Sequence, residues 1–306
     1  MESIKIPARV SDNFGDPISK LLDILAAVNK AGYQTPKQFD FSECKFFSPF
    51  LLAGLSCIYN ANLKNNDAIS IIPPSTNSIN EYLNTICFPS GFAYNPNEIE
   101  NFQTLFAPYH TKKYIPIIFF PATKTGNNSI VREKILSAVN SIFKTQLNLG
   151  GGVLQAIYYM IDELTQNITD HSQCDSGIIF AQFYPSKNYM DICIVDNGIG
   201  LLQGYINSGK YTVATHEDAV NLAIKGKSTK DLPESRGFGL STSRKMLVEG
   251  LKGKFLLFSG SAMFVQTVEK EEILSVESDY KLNGCYIALR IPTFNNKEFD
   301  FYKYIE

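Results

Sequence analysis

The sequence predicts an α/β protein of two domains, and three observations predict it. Its 306 residues exceed the ~100–200 residues of an ordinary single domain. Short apolar runs bounded by turn residues alternate with segments whose apolar residues recur every three or four positions. A polar stretch around Tyr94-Asn95-Pro96-Asn97 separates two such series. With 44% hydrophobic and 19% charged residues the composition is that of a globular chain without low-complexity tracts.

The first series opens with a strand over Ser3–Pro7. Ile18, Leu21, Leu22, Leu25, Ala26 and Val28 share one face of a helix that ends near Gly32. A second strand covers Gln38–Phe41. Pro49–Asn62 follows as a helix with Leu51, Leu52, Leu55, Ile58 and Tyr59 as its apolar face, Ser48 as its cap and Pro49 in its first turn. Ala68–Ile72 reads as a buried strand stopped by Pro73-Pro74. Strands alternating with helices give a sheet domain over 1–95, and 96–113 reads as a connector.

The second series starts with a strand at Tyr114–Phe120, and Thr123–Asn128 makes a polar break. Ile135, Val139, Ile142 and Phe143 mark a helix over Val131–Leu147, ended by Gly150-Gly151-Gly152. The next helix, Val153–His171, carries an apolar stripe of Leu154, Ile157, Ile161, Leu164 and Ile168. Beside it runs a second stripe of Tyr159, Glu163, Asn167 and His171. Strands follow at Gly177–Phe183 and Tyr189–Val195, then at Lys254–Ser259, Ser261–Thr267 and Cys285–Ile291 before Pro292. This domain spans 114–293, and 294–306 is a C-terminal tail.

A formal net charge of -2 and a pI near 6.0 supply no basic footprint for nucleic acid. The first residues lack a basic stretch followed by an apolar one, and no apolar run approaches the ~20 residues of a membrane span, so a cytoplasmic protein is expected. The six cysteines form no Cys-x-x-Cys pair and the three histidines are scattered, which points to buried thiols and against a cysteine or histidine metal site.

Glu163, Asn167 and His171 stand at i, i+4 and i+8, so a helix presents all three to one ligand. Taken alone, such a stripe is also what the solvated side of an amphipathic helix provides. Two glycine motifs downstream bear on the choice. Asp196-Asn197-Gly198-Ile199-Gly200 directly follows a strand, which sets the Asp196 carboxylate at the strand's carboxyl end; the same residues also favour a plain hairpin turn. Arg236-Gly237-Phe238-Gly239-Leu240 precedes a helix, whose first N–H groups can cradle an anion. Between them a helix beginning at Glu217-Asp218 gives way to Gly226-Lys227-Ser228-Thr229-Lys230, which lacks the glycine spacing of a Walker A loop.

In this order and spacing the motifs over about 114–293 resemble the GHKL fold shared by gyrase B subunits, heat-shock chaperones, histidine kinases and anti-sigma serine kinases. The resemblance implies an α/β sandwich, a mixed sheet with helices on one face, and ATP with Mg²⁺ as ligands. It implies that Asn167 gives Mg²⁺ its amide oxygen and that Glu163 orients or deprotonates the attacking water or hydroxyl. His171 then sits near the lid and the phosphates. Asp196 accepts the adenine amino hydrogen, with Asn197, Gly198 and Gly200 in the turn beside the base. Lys227, Ser228 and Thr229 belong to the lid and face the γ-phosphate, and Arg236, Gly237, Phe238, Gly239 and Leu240 form the phosphate turn.

Phe39-Asp40-Phe41-Ser42, then Phe46-Phe47-Ser48-Pro49, an apolar helix and a further strand resemble the STAS domain of anti-sigma-factor antagonists over 1–95. Members switched by phosphorylation carry an Asp-Ser turn before that helix. Ser48-Pro49 stands there instead, which favours a helix cap over a phosphorylated serine. Asp170 occupies a place where many histidine kinases have a lysine, and neither His110 nor His216 lies on a dimerising helix. The resemblance is therefore nearer to anti-sigma serine/threonine kinases and ATPases. It implies a Mg-ATP-dependent signalling protein with a protein partner, and it allows docking of the N-terminal domain on the ATPase and a homodimer. The alternative is an ATP-driven conformational switch without chemistry.

Overall fold

Strands and helices alternate along most of the chain and sort into two sheets. The computed structural model describes residues 1–32, 35–65, 68–95, 101–147, 149, 151–229, 239–293 and 299–305. β1 (Glu2–Lys5), α1 (Asp16–Ala31), β2 (Lys37–Asp40), α2 (Pro49–Lys64) and β3 (Ile69–Ile72) build a parallel sheet of order β1-β2-β3, with Glu2, Lys37 and Ile69 in register. α3 (Asn77–Thr85) and α4 (Phe102–Leu105) lead to β4 (Ile118–Pro121), α5 (Asn128–Leu147), α6 (Gly151–His171), β5 (Ser176–Tyr184) and β6 (Tyr189–Val195). Then come α7 (Gly200–Ser208), α8 (His216–Ile224), α9 (Gly239–Lys245), β7 (Lys254–Gly260), β8 (Ala262–Gln266), β9 (Glu271–Ser275) and β10 (Leu282–Pro292).

The larger sheet has the order β4-β5-β6-β10-β7-β8-β9. The α/β class agrees with the sequence, but the expected mixed sheet is wholly antiparallel. The helical crossover from β6 to β7 brings two strands back in the same sense, and β10 inserts between them and runs against both. Nor are its helices confined to one face. Side chains alternate along β6 and β10, so Ile194 and Ile287 face α6 while Tyr286 and Arg290 face the other way, toward α2.

α2 lies between the two sheets, against β3 on one side and β5 and β6 on the other. This explains its sequence, which is apolar all round: Phe50, Leu51, Leu52, Ala53 and Leu55 are fully buried. Each leucine withdrawn from water contributes about 1.5–3 kcal/mol. Ser48 caps the helix by accepting a hydrogen bond from Phe50 N at 3.3 Å, and it is itself buried. Gly54 lets α1 approach, since a Cβ there would lie 2.7 Å from Leu21 Cδ1.

The described part of the expected connector is also folded into the core. Phe102, Phe106 and Tyr109 recur at helical spacing and are buried, with the Phe106 ring 4.7 Å from that of Phe92. Two of the three glycines expected to separate α5 from α6 instead form the first turn of α6, Gly150 lying outside the described residues.

One polar cluster ties the N-terminal segment to the hidden face of the large sheet. Arg290 makes a two-pronged pair with buried Asp191, at 2.7 and 2.8 Å, and donates to Asp12 O at 2.6 Å. Its guanidinium stacks 4.0 Å from the Tyr189 ring centroid and faces Phe14 and Phe50. Arg290→Met is expected to cost about 3–5 kcal/mol, because it leaves Asp191 buried without its cation. Urea denaturation at pH 7.5 measures this; a loss below about 1 kcal/mol would mean that the pair is not what joins the layers.

Candidate functional site

A cavity of about 730 Å³ opens between α6 and the large sheet. That is within the ~300–1,000 Å³ of small-ligand sites. Its floor is apolar, from Ile194, Leu257 and Ile287 on the sheet, and Leu164 and Ile168 of α6 flank it. Leu201 and Tyr205 of α7 and Ala223 of α8 complete that end. Glu163, Asn167, His171, Lys227, Ser228, Thr229, Gly239 and Leu240 line the rest, so most of the expected site residues share one cavity.

Asp196 continues β6 by one residue, with Asp196 N donating to Cys285 O at 2.9 Å. Its carboxylate is buried at the base of the cavity and accepts from Gly198 N at 2.8 Å, closing a tight turn on itself. Burial dominates its chemistry and pushes its pKa up to about 6, against the lowering effect of the Gly198 and Cys285 backbone groups. The turn leads into α7, so the hairpin reading of Asp-Asn-Gly does not apply.

The glycines of the turn are there for close approach. Gly198 rests on the end of α6, where a Cβ would lie 2.7 Å from Ser172 C, and Ile199 N donates to Ser172 O at 2.9 Å. From beneath, Gly284 adopts φ 87° at a bulge of β10, and a Cβ there would fall 2.8 Å from Asn197 Cα. Ser259 Oγ donates to Gly284 O at 2.8 Å and accepts from Leu201 N at 3.0 Å, binding the start of α7 to the sheet. Sequence reasoning missed Ser259, Gly284 and Cys285. The isolated glycine in the β10 pattern was the available signal, since glycine within a strand marks close backbone approach.

Glu163 is half-buried and its carboxyl is raised above the usual range, first by burial and then by the charges of Asp162 and Asp170. It packs on the first residue of α9, where a Cβ at Gly239 would collide with the Glu163 carboxylate. Tyr159, one turn earlier, has its phenol pushed up to about 12 by burial and then by Glu163. His171 Nδ1 and Thr229 Oγ1 share a hydrogen bond of 2.8 Å, which connects α6 to the segment after α8. That segment turns at Gly226, with φ 73°, and is held by Tyr205 Oη donating to Lys227 O at 2.5 Å.

Not every expected residue converges. Asn197 faces away from the cavity, into a narrow crevice with Cys57, Asn60 and Lys64 of α2, and Gly198 lies under the turn rather than on the cavity wall. The physical reason is the alternation of side chains at the strand end, which sends consecutive residues to opposite faces. Arg236, Gly237 and Phe238 lie outside the described residues. His110 is bonded to Thr145 at 3.1 Å, and His216 begins α8 beside Gly260, so neither enters the cavity.

Among the described residues no group of three or more His, Cys, Asp or Glu side chains is placed to hold a metal ion. On α6 the side-chain oxygens of Glu163, Gln166, Asn167 and Asp170 line the cavity. No described helix is long and apolar enough to cross a membrane. Comparisons of the chain with protein-family models, curated proteins and solved structures return no match.

The buried Asp196 sets a stability prediction. Its pKa is higher folded than unfolded, so the stability it contributes is present in acid and is lost as pH rises from about 4 to about 6. Asp196→Asn, which keeps the acceptor for Gly198 N, is expected to stabilise the ligand-free protein by about 1–3 kcal/mol at pH 7.5 and by almost nothing at pH 4. Urea denaturation at the two pH values checks this, and equal effects at both would refute the burial argument.

Proposed function

We propose that the chain is a Mg-ATP-binding signalling protein of the GHKL type, with slow ATPase or serine/threonine protein kinase chemistry. The observation that carries this reading is one cavity with two chemically distinct ends. One end is apolar with a single buried carboxylate, Asp196; the other gathers Glu163, Asn167, His171 and the Lys227–Thr229 segment. A flat base with an exocyclic amine suits the first end, since it buries apolar faces and gives Asp196 a hydrogen to accept. A polyanion with its cation suits the second.

The residues present fit the group. Asn167 would offer an amide oxygen to Mg²⁺, which takes few protein ligands and draws the rest from water and phosphates. Lys227, Ser228, Thr229 and the start of α9 at Gly239 and Leu240 would face the phosphates. Bound there, Mg-ATP supplies the phosphoryl group and the metal that neutralises charge on it. Glu163 would orient and deprotonate the attacking water or hydroxyl, a role favoured by a carboxyl that burial raises above its usual range.

In the same reading the N-terminal STAS-like segment regulates the ATPase in cis. Support comes from α2, whose Cys57, Asn60 and Lys64 abut Asn197 behind the Asp196 turn. The protein would work in the cytoplasm through a protein partner. The second reading, a switch whose output is conformational only, draws support from the His171–Thr229 bond, which joins α6 to the segment that would close over a nucleotide.

Two substitutions test these readings. Asp196→Asn is expected to weaken ATP binding by about 1.5–3 kcal/mol in calorimetry at pH 7.5, because a charge-assisted bond is lost; unchanged affinity would remove the adenine assignment. Glu163→Ala is expected to retain ATP binding while labelled-phosphate release or transfer falls by about 10²–10⁴-fold. Binding without any turnover in the unaltered protein, with and without candidate partners, would favour the switch.

A further inference from the structure

Residues 299–305 fold back across α6, and Ile305 lines the same cavity as Glu163. The segment is a small built element. Asp300 Oδ1 accepts from Tyr302 N at 3.0 Å, Tyr304 N donates to Phe301 O at 3.2 Å, and the Phe299 and Tyr304 rings stack at 5.8 Å.

Two glycines make its seat. A Cβ at Gly152 would stand 3.2 Å from Phe299 O, and one at Gly250 would stand 2.7 Å from the Phe299 ring and 3.0 Å from that of Tyr304. Phe301 meets Tyr159 edge to face, with 6.0 Å between centroids, one helical turn from Glu163. The element therefore rests on the Glu163 end of the cavity, away from Asp196.

What holds it there is apolar. Among the described residues, the hydrogen bonds of 299–305 are internal to the segment, while Phe299, Phe301, Tyr304 and Ile305 pack on the body of the protein by contact alone. An element attached, among the described residues, by a few half-buried rings opens at far lower free energy than the sheet beneath it.

We propose that residues 299–305 are a displaceable strap that closes the Glu163 end of the cavity in the resting protein, so that the acceptor of the phosphoryl group, water or a protein hydroxyl, enters only when the strap leaves. The proposal concerns regulation of the site described above and rests on the nucleotide reading for its consequence, though not for its geometry. Strap displacement, by a partner or by spontaneous opening, then sets turnover without altering the base-binding end.

The test uses the full chain. Thr242, which lines the cavity beside Tyr159, is replaced by cysteine as a reporter, and its alkylation by a maleimide is followed by peptide mass spectrometry. Phe301→Asp and, as an uncharged release, Phe301→Ser should each raise the Cys-reporter rate at least about fivefold. Tyr302→Asp, at an exposed position of the same segment, should leave it unchanged. Melting temperatures within a few degrees of the parent show that the body stays folded.

Without the reporter, Phe301→Asp should raise phosphate release or transfer from labelled ATP about fivefold while ATP affinity stays within about twofold. Equal alkylation rates in parent and Phe301 variants overturn the strap whatever the nucleotide result, and so does an equal rise in Tyr302→Asp. Faster alkylation with unchanged turnover of bound ATP overturns its gating role. If no variant binds ATP, the nucleotide reading fails separately, and the alkylation rates still decide whether the segment is a displaceable cover.

Discussion

At the centre of the seven-stranded sheet neither face meets water. Met190–Val195 on β6 and Tyr286–Ile291 on β10 are buried along their whole length, whichever way each side chain points. A sheet apolar on both sides needs two covers. α5 to α8 supply one, and α2 supplies the other, so the N-terminal segment covers part of the large sheet. The same constraint accounts for the form of α2, which must be apolar toward the small sheet and toward the large one. It also accounts for the Arg290–Asp191 pair, whose charges are tolerable on a hidden face because they satisfy each other and the Asp12 carbonyl.

The cavity inherits this rigidity at one end only. Around Asp196 the chain is held by backbone contacts that no side chain could replace: Gly198 on Ser172, Gly284 on Asn197, and Ser259 between β10 and α7. A carboxylate kept from water there weakens the fold at neutral pH. At the Glu163 end the walls are side chains and short segments. The Thr229–His171 bond, the Gly239–Glu163 contact and the aromatic seat of residues 299–305 can each be undone without touching the sheet. One end of the cavity is thus held by close backbone packing, and the other by side chains and short segments.

The back of the Asp196 turn gives the two halves of the chain a shared boundary. Asn197 meets Cys57, Asn60 and Lys64 of α2, and Lys64 also pairs with Asp175 at 3.2 Å on the loop before β5. A shift of α2 would thus press on the residue next to the buried carboxylate. The exposed Lys64–Asp175 pair adds little stability by itself. Its relevance is positional, since it fixes the end of α2 beside the turn.

Much of this was legible in the residues, and the division is physical. The helical stripe of Glu163, Asn167 and His171, the Ser48 cap, the strand that delivers Asp196 and the helix that ends before Gly226 depend on neighbours within a few positions. Periodicity and turn chemistry encode them locally. The aromatic face of Phe102, Phe106 and Tyr109 carried the same local signal inside a stretch that reads as a connector. What distant parts of the chain decide together was not legible. β10 enters between β6 and β7 and removes the parallel pair; α2 is sandwiched between sheets; Asn197 turns from the cavity to α2; Ser259 reaches Leu201, Gly284 reaches Asn197, and Ile305 shares the cavity with Glu163, each a partner distant in sequence. The sequence by itself determined which polar residues and glycines stand on which local elements. Only the tertiary structure decided which of them share a cavity, because strand order and face are set by burying the whole sheet at once, and no local pattern records that choice.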